Sequence, residues 1–292
     1  MSLYKNWILA SRPWSFSMTF ISISVGSALA ENAVDFSWGL YFLALIGGIL
    51  AHAGTNLIND YYDVKSGVDD PDAKTAQYRP HPLVEGKLKP VQVRNAALAM
   101  LGITAFIALV LATVQGIELI WLAVVGIIAS LAYTAPPMKY KYMALGEFSV
   151  FLMWGPLMVE GAYFVQAGEF SLRALAVSIP FGVLVALVLL ANNIRDMEHD
   201  ATKGIRTIAI VLGRAASMKL YKWLMAAAYV SVGLMALFGY VSHWALITLL
   251  SLPIAVGLFK EMSGMPPADA DARTAKLDTA FGLLLVLSLA IS

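Results

Sequence analysis

Residues 38–63 read WGLYFLALIGGILAHAGTNLINDYYD: no charged side chain before Asp60, then Asp60 and Asp63 beside Asn56 and Asn59. Crossing a ~30 Å hydrocarbon layer as a helix takes roughly 17–25 mostly apolar residues. Residues 38–58 therefore read as a membrane span whose polar end is left at the boundary. Stretches of similar length and apolarity recur at 14–30, 95–114, 118–135, 146–166, 172–193, 219–240, 243–260 and 276–292. The expected fold is an all-α membrane protein of about nine transmembrane helices.

Composition agrees. Hydrophobic residues make up 59% and charged residues 13%, against about 45–50% and ~25% in soluble domains. A water-soluble chain of this length has no core large enough for that much apolar surface, so lipid is the solvent for most of it. A net charge of +1 points away from nucleic acid. The lack of cysteine excludes disulfides and thiolate chemistry. The start, MSLYKNWILASRPW, reads as a mature cytoplasmic end lying along the membrane rather than a signal peptide.

Placing the N-terminus in the cytoplasm puts 19 of the 20 lysines and arginines, Lys74 among them, in inner segments and leaves Arg173 outside. That bias predicts a cytoplasmic N-terminus, an outer C-terminus and an odd number of spans in a multi-pass protein of the cell membrane. Two inner loops, 59–94 and 194–218, are long and carry both signs of charge. Function is sought there.

Each long loop follows a span that ends in asparagine and aspartate: NLINDYYD (56–63) and NNIRDMEHD (192–200). At ~100° per residue, Asn56, Asp60 and Asp63 share one helix face, and Asn192, Asp196 and Asp200 repeat the arrangement. Lys203 joins that second face if the helix continues. The repeat divides a single 1–292 domain into approximate halves, 1–135 and 136–292, that set their polar ends around one cavity. Four aspartates at a membrane boundary repel one another and are poorly hydrated, so a cation belongs between them. Mg²⁺ suits carboxylates, retained waters and phosphate oxygens. The absence of cysteine and of paired histidines argues against zinc. The bland alternative is a pair of helix ends solvated by water, and two matching clusters weigh against it.

Basic residues in the same loops narrow the ligand. Arg79 and Lys87 lie in YRPHPLVEGKLKP, Lys139 and Lys141 in YTAPPMKYKYMALGE, and Lys203 and Arg206 in KGIRT. Arginine binds phosphate bidentately and lysine acts as a point charge, so this set suits the outer oxygens of a diphosphate. Inner lysines and arginines also set topology, which is the simpler reading for Lys87, Lys89, Lys219 and Lys222.

NDYYDVKSGVD with RPHPLVEG, YTAPPMKYK and NNIRDMEHDATKGIRT resemble, in order and spacing over about 12–214, the UbiA superfamily of membrane-embedded prenyltransferases. The resemblance implies nine helices around a central cavity and two aspartate-rich motifs holding Mg²⁺, two ions in all, and a polyprenyl diphosphate. Carried over by position, Asn56, Asp60 and Asp63 match the first motif, and Asp196 and Asp200 the second, with Asn192 one turn earlier. The four aspartates are the catalytic candidates, and all six residues the metal candidates. Arg79, Lys139 and Arg206 resemble phosphate-binding positions, and Lys203 is added from its helix face. The family pattern NDxxDxxxD requires an aspartate at 67, where this chain has Gly67 with Asp69 two residues on.

NLINDYYDVKSGVD with NNIRD looks most like the menaquinone branch, whose acceptor is 1,4-dihydroxy-2-naphthoate. Sister branches that use 4-hydroxybenzoate or a glycerol-phosphate ether lipid stay open. The resemblance implies that the donor's allylic fragment becomes cation-like and is attacked by an electron-rich aromatic carbon. Membrane lipid delivers the tail. Aromatic rings can stabilise such a cation by roughly 0.5–2 kcal/mol each; Tyr133, Phe148, Trp154 and Tyr163 are candidates, with packing the plainer role for any one of them. Glu160, within a span, is a functional candidate by position, and His52 either positions the acceptor or satisfies a local hydrogen bond. A cation-coupled transporter is the alternative from another class. Both clusters lie at one membrane face, which disfavours it.

Overall fold

The computed structural model describes residues 3–31, 34–71 and 79–292; Lys74 lies outside them. Besides short 3-10 turns at Pro13–Ser15 and Tyr140–Tyr142, eleven helices are found among these residues. They are α1 (Leu3–Ser11), α2 (Phe16–Glu31), α3 (Trp38–Lys65), α4 (Pro90–Gln115), α5 (Glu118–Thr134) and α6 (Gly146–Ala167). After them come α7 (Leu172–Thr202), α8 (Ile208–Leu212), α9 (Arg214–Leu237), α10 (His243–Glu261) and α11 (Ala270–Ala290). Only an isolated bridge, between Met143 and Arg206, pairs extended backbone among them.

Each stretch marked as a span falls on a helix. Six helices, α3, α4, α6, α7, α9 and α10, are long and apolar enough to cross a membrane. Helix α5 is as apolar but has 17 residues, and α2 has 16. Outward-facing Phe106, Val114, Trp121, Ile128 and Trp223 leave the bundle an apolar exterior, as a lipid solvent demands.

Two helices are too long for the layer they cross, and this positions the site. Helix α3 has 28 residues and α7 has 31, about 42 and 46 Å at 1.5 Å per residue. Both are fixed at the far end by a serine cap: Ser37 accepts from the Leu40 amide and Ser171 from the Ala174 amide. The surplus emerges at the other end as polar last turns carrying Asn56–Asp63 and Asn192–Asp200.

Helix α2 runs through the core, packed on α6 and α11. A Cβ at Gly26 would lie 2.1 Å from the Val159 carbonyl oxygen, so only glycine permits this backbone approach. Met18, Ile21, Val25 and Leu29 join one hydrophobic cluster with Phe181, Leu184, Tyr221 and Phe281. Helix α2 thereby shares one core with α7, α9 and α11. In α6 a π turn at Met153–Leu157, containing Pro156, interrupts the α pattern. It accompanies contact with α7 so close that a Cβ on Gly182 would lie 2.8 Å from the Gly155 Cα.

Candidate active site

The polar ends of α3 and α7 line one small hollow. Asp63, Asp69, Arg79, Lys141, Asn192, Asp196 and Asp200 surround it together with Arg12. It shares Arg12, Asp63, Arg79, Lys141 and Asn192 with a cavity of about 700 Å³ that continues between α3, α4, α5 and α6. A charged entrance therefore leads into an apolar interior.

The α3 side is built by a helix stop. Gly67 takes φ +73°, the left-handed conformation that glycine adopts without steric cost. The amides of Val68 and Asp69 then both donate to the Asp63 carbonyl, at 2.9 and 3.2 Å. This reversal carries Asp69 back beside Asp60. His81 Nε2 stands 3.2 Å from Asp69 and 3.8 Å from Asp60, and ligand atoms of Asp60, Asp69 and His81 all lie within 4.8 Å of one another. Burial opposes ionisation of Asp69, yet the His81 hydrogen bond, with Lys141 and Arg12 nearby, holds its pKa down to about 2. Asp69 thus supplies a third carboxylate although Gly67 occupies the family position.

Cations stand against most of the acids. Arg12, whose backbone is itself left-handed at φ 55°, pairs with Asp60. Lys141 Nζ lies 2.6 Å from Asp63, which also accepts a hydrogen bond from the Tyr142 hydroxyl. Burial pulls the Lys141 pKa down, but Asp63 and the neighbouring tyrosines and Asp69 outweigh it and raise it well above the usual lysine value. This ammonium stays charged. On α7, buried Arg195 holds Asp196 through two bonds of 2.8 and 2.6 Å, Asn192 at 2.7 Å and Asp271 at 2.6 Å. One guanidinium so fixes the second acidic end to the start of α11. The Asp200 carboxylate lines the hollow and meets no donor among the described residues.

The expected residues divide accordingly. Asp63, Asp196, Asp200, Asn192 and Arg79 line the hollow; Asn56 lines the larger cavity, donating to the Ser11 carbonyl at 3.0 Å. Asp60 stands behind them, turned to Arg12 and His81. Lys139 is not on either wall: it occupies a left-handed turn at φ 46°. Lys203 pairs with Asp70. The exposed Arg206 meets the site's loop through its backbone, accepting from the Ala144 amide at 2.8 Å.

Of the aromatic candidates, Tyr133 and Trp154 line the cavity. Phe148 is 57% exposed and Tyr163 is buried in the core away from the cavity. Glu160 accepts from the Ser171 amide at 3.2 Å, a structural tie at the bundle's other end. His52 bridges Ser15 at 3.2 Å and Thr19 at 2.8 Å on the cavity wall.

The UbiA prenyltransferase family model matches residues 19–285. The chain belongs to the UbiA prenyltransferase family. It is accordingly a prenyltransferase and a multi-pass membrane protein. It is 33% identical over 292 residues to UbiA prenyltransferase domain-containing protein 1 of Danio rerio, covering 98% of this chain and 84% of the relative. It is 29% identical over 286 residues to 1,4-dihydroxy-2-naphthoate octaprenyltransferase of Bacillus subtilis (strain 168), covering 97% and 91%. Among solved structures, a UbiA homolog from Aeropyrum pernix K1 superposes with a TM-score of 0.74 at 15% identity, covering 95% and 97% of the two chains. A UbiA homolog from Archaeoglobus fulgidus bound to DMAPP and Mg²⁺ gives 0.59 at 16% identity, covering 97% and 99%. These distant structures share this UbiA fold.

Arg12, His81 and Arg195 escape sequence reasoning, and Asp69 is noted there only as a departure from the family pattern. Arg12 and Arg195 look like topology-setting charges, and Asp69 lies off the family spacing. The available signal is the glycine at 67, since a helix ending in a left-handed glycine turns back on itself.

Proposed function

We propose that this UbiA-family enzyme transfers a polyprenyl group from its allylic diphosphate to 1,4-dihydroxy-2-naphthoate, a step in menaquinone formation. The observation that carries the reading is one hollow walled by two acidic helix ends and by Arg12, Arg79 and Lys141, opening into an apolar cavity. The site's oxygen-rich, buried donor set, with the Asp200 carboxylate meeting no donor among the described residues, fits hard divalent cations, and we assign it two Mg²⁺ ions. Asp60, Asp63 and Asp69 would hold one and Asp196 and Asp200 the other, with Asn56 and Asn192 orienting ligands. The metal, when bound, supplies positive charge beside the leaving diphosphate.

The chain's own residues do the rest. Lys141, Arg79 and Arg12 offer fixed donors where negative charge grows as the C1–O bond breaks and its electron pair leaves with diphosphate. The apolar walls keep water from the allylic fragment, and the faces of Tyr133 and Trp154 border it. The aromatic carbon bonds to C1 and then gives up its proton, or its carboxylate as CO₂. We further propose that α2, α5 and α11 cross the membrane with the six longer helices, giving nine spans, a cytoplasmic N-terminus and an outer C-terminus.

Purified protein incubated with Mg²⁺, a polyprenyl diphosphate and a panel of acceptors tests this by product mass. Prenylated naphthoquinol is the expected product. Prenylated 4-hydroxybenzoate or ether lipid instead would move the chain to a sister branch, and no diphosphate release would remove the catalytic assignment.

A further inference from the structure

We infer that the apolar cavity measures the prenyl tail, holding about four five-carbon units, and that Gly126 and Gly161 keep its bore open. The inference rests on the prenyl-donor reading above.

The cavity has two ends of different chemistry. At one end Tyr133 and Ser149 stand near Lys141 and Asp63; at the other the walls are Leu111, Leu119 and Val165. Helix α5 lines it from Tyr133 to Leu119, 14 residues, or about 21 Å along the axis. Helix α6 lines it from Ser149 to Val165, 16 residues, or about 24 Å. Two helices thus give nearly the same depth. Beyond Ser130 the polar wall groups are His52, Trp154 and Thr104, and all are committed within the protein: His52 to Ser15 and Thr19, Trp154 Nε1 to the Thr19 hydroxyl at 3.2 Å, and the Thr104 hydroxyl to carbonyls of Gly47 and Met100 at 3.2 and 3.1 Å. That stretch can recognise hydrocarbon and little else. A five-carbon unit adds four carbon–carbon bonds of ~1.5 Å, about 5 Å when extended. A depth of 21–24 Å therefore accommodates roughly four units.

The glycines differ in what surrounds them. A Cβ at Gly126 would meet one atom within 4 Å, Leu157 Cδ2 at 3.7 Å, and at Gly161 one atom, Leu122 Cδ1 at 3.7 Å. Both residues line the cavity, so a larger side chain has room to enter it. Gly48 also lines it, yet its Cβ would strike Ile23 Cδ1 at 2.6 Å. Glycine inside a helix is disfavoured relative to alanine, and open bore is a reason to keep it. Gly126 is seven residues from Tyr133, about 10 Å and two units deep. Gly161 is twelve residues from Ser149, about 18 Å and near the fourth unit. The two positions are marks at different depths.

The test compares dimethylallyl, geranyl, farnesyl, geranylgeranyl and octaprenyl diphosphates, with the acceptor that the panel identifies. Wild type should gain in kcat/KM up to geranylgeranyl and then level off. Gly161→Leu should lose about tenfold or more on geranylgeranyl while keeping farnesyl. Gly126→Leu should lose as much already on farnesyl. Both should keep dimethylallyl transfer, which also reports that they fold. Leu119→Ala, which lengthens the far end, should move the plateau to longer tails and serves if a leucine variant does not fold. Transfer with the same donor profile in wild type and all variants overturns the inference alone. No transfer from any donor by wild type removes the donor reading and the inference with it.

Discussion

Lys139 and Lys141 are two positions apart and meet different surroundings. The left-handed turn at Lys139 leaves it off the walls, while Lys141 reaches Asp63 at 2.6 Å. We expect Lys141→Ala to lower kcat/KM for the donor by about 100-fold, the scale of one charge-stabilising group. Lys139→Ala should stay within about twofold, as for a surface change with no such contact; steady-state kinetics with varied prenyl diphosphate reads both. Asp63→Asn and Asp196→Asn should each cut turnover by more than ~100-fold and weaken Mn²⁺ binding measured calorimetrically without substrate. Near-normal Mn²⁺ affinity in either would remove that residue from the metal assignment. Asp63 and Asp196 were legible in the sequence because carboxylates at the end of an apolar run need a reason to be there. The choice between the two lysines was not, since it depends on a backbone φ that no side-chain pattern announces. Arg12 was hidden for another reason: an arginine before a first span already has a topological explanation.

Secondary-structure elements carry the same lesson further. The apolar lengths of α3 and α7 are plain in the sequence, and so is the emergence of their acidic ends. The Gly67 stop is what converts Asp69 into a neighbour of Asp60. Replacing it with alanine puts a Cβ where φ is +73°, at a cost of roughly 1–2 kcal/mol. Nothing lies within 4 Å to clash with that Cβ, so the effect should be conformational and local. Gly67→Ala should weaken Mn²⁺ binding severalfold while lowering the melting temperature little. Gly26→Ala should do the opposite. With Val159 O at 2.1 Å, α2 and α6 must separate, an overpacking cost of about 1–3 kcal/mol. Thermal unfolding in detergent should show a marked drop with little change in donor KM. Such interhelical contacts pair residues 133 positions apart and have no periodicity to betray them.

Across the whole molecule the proposed topology gives a direct experiment, because the chain contains no cysteine. Glu169 and Met265 are both exposed in loops, and charge bias assigns them to opposite sides. A Glu169→Cys variant in intact cells should react with a membrane-impermeant maleimide. A Met265→Cys variant should react only after permeabilisation; the reverse pattern would invert the assigned orientation. The hydropathy pattern located the apolar helices in chain order, six of them long and apolar enough to cross a membrane. It did not supply their neighbours: α2 packs on α6 and α11, far along the chain.

The central burial of α2 has a consequence for how the chain is made. This helix leaves the ribosome well before the surfaces that cover it, on α6 and α11, are translated. Until then Ser22, whose hydroxyl will donate to the Trp154 carbonyl at 2.6 Å, and Ser17, destined for Thr279 at 3.1 Å, have no long-range partners. A nascent protein stopped after residue 135 should therefore be an open bundle and a ready substrate for membrane proteases, whereas completion of α11 covers α2.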